Sequence, residues 1–115
     1  MLPLPSGTKI WLDAGITDMR NGFNGLAAKV QMALKDDLMS GHVFIFRARS
    51  GSQVKLLWPI GDGLCLLTKL LERGRFAWPS ARDGKVFLTP AQLAMLMEGI
   101  DWRQPKRLLT SLTML

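Results

Sequence analysis

One cysteine and one histidine occur in 115 residues. With Cys65 alone, neither an internal disulfide nor a thiolate metal cage can form. With His42 alone, a zinc site or histidine base has no second imidazole to work with. Cys65 stands between Leu64 and Leu66, the setting of a small buried hydrophobe rather than a nucleophile. The apolar runs are too short to span a bilayer, and Met1-Leu2-Pro3-Leu4-Pro5 has no basic stretch leading into an apolar core. No membrane partner is expected, and the chain reads as cytoplasmic. Acidic residues number nine against fifteen lysines and arginines, and they are scattered. Metal-assisted phosphodiester hydrolysis needs clustered carboxylates, whereas Asp13, Asp62 and Asp83 occupy turn sequences, where Asp bonds its own backbone. Gly61-Asp62-Gly63 lacks the lysine and helix of a phosphate loop. No catalytic residue, metal site or cofactor is expected.

What is abundant is positive charge, unevenly placed. The net charge is +6. Residues 1–46 balance four cations against four anions. Residues 47–85 carry eight cations (Arg47, Arg49, Lys55, Lys69, Arg73, Arg75, Arg82, Lys85) against Asp62, Glu72 and Asp83, leaving +5. Cations confined to one folded stretch attract polyanions by Coulomb steering and counterion release, so nucleic acid is the first partner to consider. Hydrophobic residues make up 48% of the chain, enough for one folded domain.

The periodicities indicate an α+β domain over 1–103, with a loosely ordered tail over 104–115. Lys9–Leu12 is β-prone and closed by Asp13-Ala14-Gly15. Met19, Phe23, Leu26, Val30 and Leu34 recur at helical spacing, with Thr17 or Asp18 as N-cap. Gly22 and Gly25 suggest that something packs closely against that helix. His42–Arg49 and Gln53–Trp58 form a hairpin across Ser50-Gly51-Ser52. Leu64–Leu71 permits strand or helix; a strand is favoured, since it would extend an antiparallel meander through Arg75–Trp78. Lys85–Leu88 is the last strand. Thr89, Pro90 and Gln92 make a capping box for a helix with Leu93, Leu96, Met97 and Ile100 on its buried stripe. The outcome is a mostly antiparallel meander of four to five strands, with two main helices covering one face.

Within the hairpin, Phe44 and Phe46 share one face, and Arg47 and Arg49 the other. If Val54, Leu56 and Trp58 face the core, Lys55 joins the arginines and the basic patch becomes the open face of the sheet. Phe and Trp interleave with these cations; most of them suit the core, although exposed ones could stack on bases. Asp18–Leu26 remains unusual: its glycines and alternating polar residues suit either close helix packing or a docking surface.

Several segments together resemble a known family. They are Asp18-Met19-Arg20-x-Gly22-Phe23-x-Gly25-Leu26, Phe44-x-Phe46-x-x-Arg49, Lys55-x-Leu57-Trp58, Leu71-Glu72-Arg73-Gly74-Arg75-Phe76-x-Trp78-Pro79 and Leu88-Thr89-x-x-Gln92-Leu93-x-x-Leu96-x-x-Gly99-Ile100-Asp101. In that order they resemble the TnpB (second open reading frame) accessory proteins of the sixty-six family of bacterial insertion sequences, up to about Arg103. Pro59 and Leu70 depart from the family pattern. The resemblance implies a non-catalytic accessory factor of transposition, acting beside a separate transposase. Combined with the charge, it gives an expected DNA-binding set of Arg47, Arg49, Lys55, Lys69, Arg73 and Arg75. The alternative is an adaptor that docks on the transposase through Asp18, Arg20, Gly22 and Phe23; a small nuclease is the third and weakest reading.

Overall fold

The chain alternates β1 (Ile10–Ile16), α1 (Phe23–Met32), β2 (Val43–Arg47), β3 (Gln53–Ile60), β4 (Gly63–Leu70), β5 (Lys85–Leu88) and α2 (Pro90–Met97). The computed structural model describes residues 4, 7–32, 34–37 and 40–103; the expected tail 104–115 lies outside them. The strands form one sheet in the order β4-β3-β2-β1-β5. The fold is α+β and mostly antiparallel, as its alternating strands predict. It contains one parallel pair, β1 with β2, because α1 carries the chain back between them.

The helices cover opposite faces of the sheet rather than one. Ile10, Leu12, Val43, Ile45, Val54, Leu56 and Trp58 pack with Leu93 and Leu96 of α2 and with Phe76, Trp78 and Trp102. Phe44, Phe46 and Leu57 pack on the other side with Leu26, Val30 and Leu34. Strand β2 is apolar at both parities, so leaving either face open would expose large side chains.

Local differences follow from hydrogen bonding. Asp13-Ala14-Gly15 does not end β1. The register shifts there, and the strand continues to Ile16. The Asp13 carboxylate accepts from the Gly15 amide at 3.0 Å, and the Ala14 amide donates to the Gly84 carbonyl at 2.8 Å. Helix α1 starts at Phe23, not next to Thr17 or Asp18, because both of those side chains are engaged elsewhere. Thr17 is buried and accepts from Lys29 Nζ at 2.8 Å, while Asp18 turns back onto Arg20. Lys29 also reaches the buried Asp13 carboxylate at 3.4 Å. A side chain at Gly25 would collide with Asn21, so the close neighbour expected there is local; space at Gly22 is open.

The segment 75–78 is not a fifth meander strand. The Phe76 amide and the Trp78 indole Nε1 both donate to the Gly51 carbonyl, each at 2.9 Å. The hairpin turn thus takes the Phe76 backbone donor that a neighbouring strand would have used, and the indole bond anchors the segment beside it. The α2 capping box forms as its residues predict: Thr89 Oγ1 accepts from the Gln92 amide and Gln92 Oε1 from the Thr89 amide. Its buried face differs at two positions, and the first is Met97, which is only half-buried. Ile100 is 46% exposed and Trp102 is buried in its stead, since the chain turns at Gly99 and the Trp102 indole finds the Ala77 carbonyl at 2.8 Å.

Candidate nucleic-acid interface

Strands β1 and β2 finish at the same end of the sheet, where β3 and β5 begin and β4 ends. The 71–76 loop is fastened around the β2–β3 turn there. The Leu71 amide donates to the Ser52 carbonyl at 2.8 Å, and the Phe76 amide to Gly51. This loop carries Arg73 and Arg75 to the turn that carries Arg49, and all three are exposed. Gly51 permits the approach. Its φ is +76°, and a Cβ there would sit 3.3 Å from Arg75 Cδ and 3.4 Å from Trp78 Nε1.

Arg47 lies beneath this group, half-buried. Its guanidinium carbon sits 5.3 Å from the Trp78 ring centroid, a cation–π contact. Its Nη1 donates to the Pro79 carbonyl at 3.4 Å, and its buried Nε has no hydrogen-bond partner among the described residues. Burial, and secondarily the charge of Arg75, lower its pKa from the ordinary arginine value. The Arg47 and Arg75 guanidinium groups, neither in a salt bridge among the described residues, add to one site of positive potential.

The six expected DNA-contacting residues do not share one face. Arg47 projects on the side of Val43 and Ile45, under Trp78. Lys55 projects on the side of Leu57, where its Nζ donates to the Asn21 carbonyl at 2.8 Å. Lys69 projects on the α2 side, and its ammonium donates to the carbonyl of Met97, the last residue of α2. A cation there satisfies a terminal carbonyl and complements the helix dipole. The open basic sheet face is therefore absent, and both lysines are structural ties. What the structure brings together is an end: Arg49, Arg73 and Arg75 outside, with Arg47 below. None of the six forms a salt bridge among the described residues.

Arg103 belongs beside this group, although its place at the start of an aperiodic stretch gives no hint of it in sequence. Its Nη1 donates to the Trp78 carbonyl at 2.7 Å, and its Nε pairs with Asp101 Oδ1 at 3.0 Å.

The expected docking residues lie next to the same end. Asp18 pairs with Arg20 at 2.6 Å, and the Arg20 side chain is 91% exposed. Hydrogen bonds from the Arg20 side chain, and then from its amide, hold the Asp18 carboxyl down at about 2. Phe23 is 46% exposed at the start of α1, and Gly22 precedes it. An open groove of about 520 Å³ joins the two sets, lined by Asp18 and Met19 on one side and by Arg49 and Gln53 on the other.

Among the described residues, no group of three or more His, Cys, Asp or Glu side chains could hold a metal ion. Cys65 is half-buried against the α2-side core, and His42 accepts from the Trp11 indole at 3.3 Å. No helix among the described residues is long and apolar enough to cross a membrane.

No solved structure matches the chain. It is 51% identical over 106 residues to the uncharacterized protein y4hO of Sinorhizobium fredii, with 92% of each chain covered. It is 37% identical over 101 residues to a second uncharacterized protein of that organism, y4jC, covering 88% of this chain and 86% of the relative. The profile of the IS66 Orf2-like proteins matches residues 8–107. The chain therefore belongs to the IS66 Orf2-like (TnpB) family, whose role in transposition is an accessory one.

Proposed function

We propose that the protein serves transposition as a non-catalytic factor that binds DNA, either free element DNA or DNA held by the transposase, through the arginine end of its sheet. One observation carries this reading: Arg75 lies against the Gly51 turn, and Arg49 and Arg73 stand exposed on that turn and on the loop fastened to it, none of the three in a salt bridge among the described residues. Guanidinium groups so placed suit phosphate oxygens, which position a duplex without reading its sequence. The test is fluorescence anisotropy with an element-end duplex and a scrambled duplex over a salt series. Replacing Arg49, Arg73 and Arg75 by Ala should weaken binding to both duplexes. The log–log salt slope should also flatten by roughly 0.9 for each phosphate that the variant no longer neutralises. Wild-type affinity in the triple variant would refute the interface.

A second reading rests on Arg20 and Phe23, a fully presented cation beside a half-exposed ring. Such a pair suits a protein partner, and the transposase is the natural one. Arg20→Ala with Phe23→Ala should then abolish capture of the transposase while leaving duplex affinity unchanged. Retained capture removes this reading.

A further inference from the structure

We propose that β4 is a dimerisation edge, at which a second copy of the chain pairs antiparallel about Leu67. The two edges of the sheet are built differently. Strand β5 is four residues long and carries Lys85. Strand β4 runs for eight residues, Gly63–Leu70, without proline, and has no strand on its outer side among the described residues. Its one charge, Lys69, is turned onto the end of α2. Leu67 and Leu70 are 37% and 65% exposed. A long apolar edge with no charge or bulge to guard it is a template for another strand.

The hydrogen-bond phase says which groups point away from β3. The Leu71 amide bonds the Ser52 carbonyl, and the register pairs Gln53 with Leu70. Alternation then turns the amides and carbonyls of Leu64, Leu66, Thr68 and Leu70 outward. A two-fold axis through Leu67 sets Leu64 opposite Leu70 and Leu66 opposite Thr68, so the outward groups meet outward groups. It also sets Leu67 against its own copy and Lys69 against Cys65, which covers both exposed leucines and keeps the two ammonium groups apart. The strand is thus complementary to itself in shape, backbone phase and charge, as an isologous contact requires.

One consequence rests on the DNA reading given above. Antiparallel pairing turns the two arginine ends in opposite directions, so a dimer presents two separate duplex sites. The test of pairing involves no DNA and stands apart from that reading. Sedimentation equilibrium of the full chain from roughly 1 to 200 µM should show a reversible monomer–dimer equilibrium. Leu70→Lys changes an exposed side chain and Thr68→Pro removes an outward amide. Each should weaken association at least tenfold with an unchanged circular dichroism spectrum. Exchange protection of the Leu66, Thr68 and Leu70 amides should rise with protein concentration. A wild-type monomer throughout overturns the proposal, as does a dimer indifferent to Leu70→Lys. Concentration-independent protection of those amides would mean the chain's own residues cover the edge, and overturns it too.

Discussion

The Arg47 guanidinium lies across the Trp78 indole, 5.3 Å from carbon to ring centroid, and this contact seats the arginine end on the core. Trp78 is itself fixed by its bond to the Gly51 carbonyl. Arg47→Ala should lower unfolding free energy by about 1–2 kcal/mol, since the variant can neither stack on the ring nor pack against it. Arg47→Lys should recover only part of that, because an ammonium cannot cover the ring as a planar guanidinium does. Urea denaturation followed by tryptophan fluorescence measures both. Equal stability of all three proteins would mean the stack contributes nothing.

Gly51 accepts two hydrogen bonds while holding a positive φ. Gly51→Ala should cost about 1–3 kcal/mol, from left-handed backbone strain and crowding against Arg75 and Trp78. It should also weaken duplex binding, because the loop that carries Arg73 and Arg75 is fastened to that turn. Thermal melting and anisotropy on one preparation check the two effects together.

Lys69 separates structure from recognition. Lys69→Ala should lower stability by about 0.5–1 kcal/mol by removing the α2 terminal tie. It should leave the salt slope of duplex binding unchanged. A slope that flattens as much as for Arg75→Ala would return Lys69 to the interface.

Asp36 supplies the acid sensitivity. Burial works against its ionisation, but the Lys85 ammonium at 2.7 Å and the Asp37 amide outweigh it and hold the carboxyl below its ordinary value. The contribution is therefore complete above the unfolded carboxylate range, near ~4, and lost as pH falls through the depressed folded value. Asp36→Asn should be less stable than wild type by about 1–2 kcal/mol at neutral pH. The two stability curves should converge as acid protonates Asp36. A gap that persists undiminished in acid would assign the destabilisation to packing.

Much of the fold is legible in local signals. The capping box of Thr89 and Gln92 and the Ser50–Ser52 turn depend on neighbours in sequence, so composition reveals them; Leu64–Leu71 permits strand or helix locally, and its pairing with β3 makes it a strand. The α1 start misleads because Asp18 makes a good cap in isolation, yet its carboxylate prefers the adjacent Arg20. The strand expected at 75–78 does not form for a similar reason: Phe76 and Trp78 are β-prone, but the Phe76 amide is claimed by the Gly51 carbonyl in the turn.

The candidate site is legible residue by residue and not as a surface. Charge alone points to Arg49, Arg73 and Arg75, which sit on the turn and the loop at one end of the sheet. It points equally to Lys55 and Lys69, which do not join them.

From its own order of residues the chain determined its α+β class, its excess of cations between Arg47 and Lys85, its lack of a cysteine or histidine pair, and its family motifs. Strand parity also determined which residues share a side. Only the tertiary structure decided which sides were buried. It placed α1 and α2 on opposite faces, spent Lys55 and Lys69 on backbone carbonyls, and folded the 71–76 loop around Gly51. A cation's availability depends on what packs over it, and that is set by contacts between residues far apart in the chain.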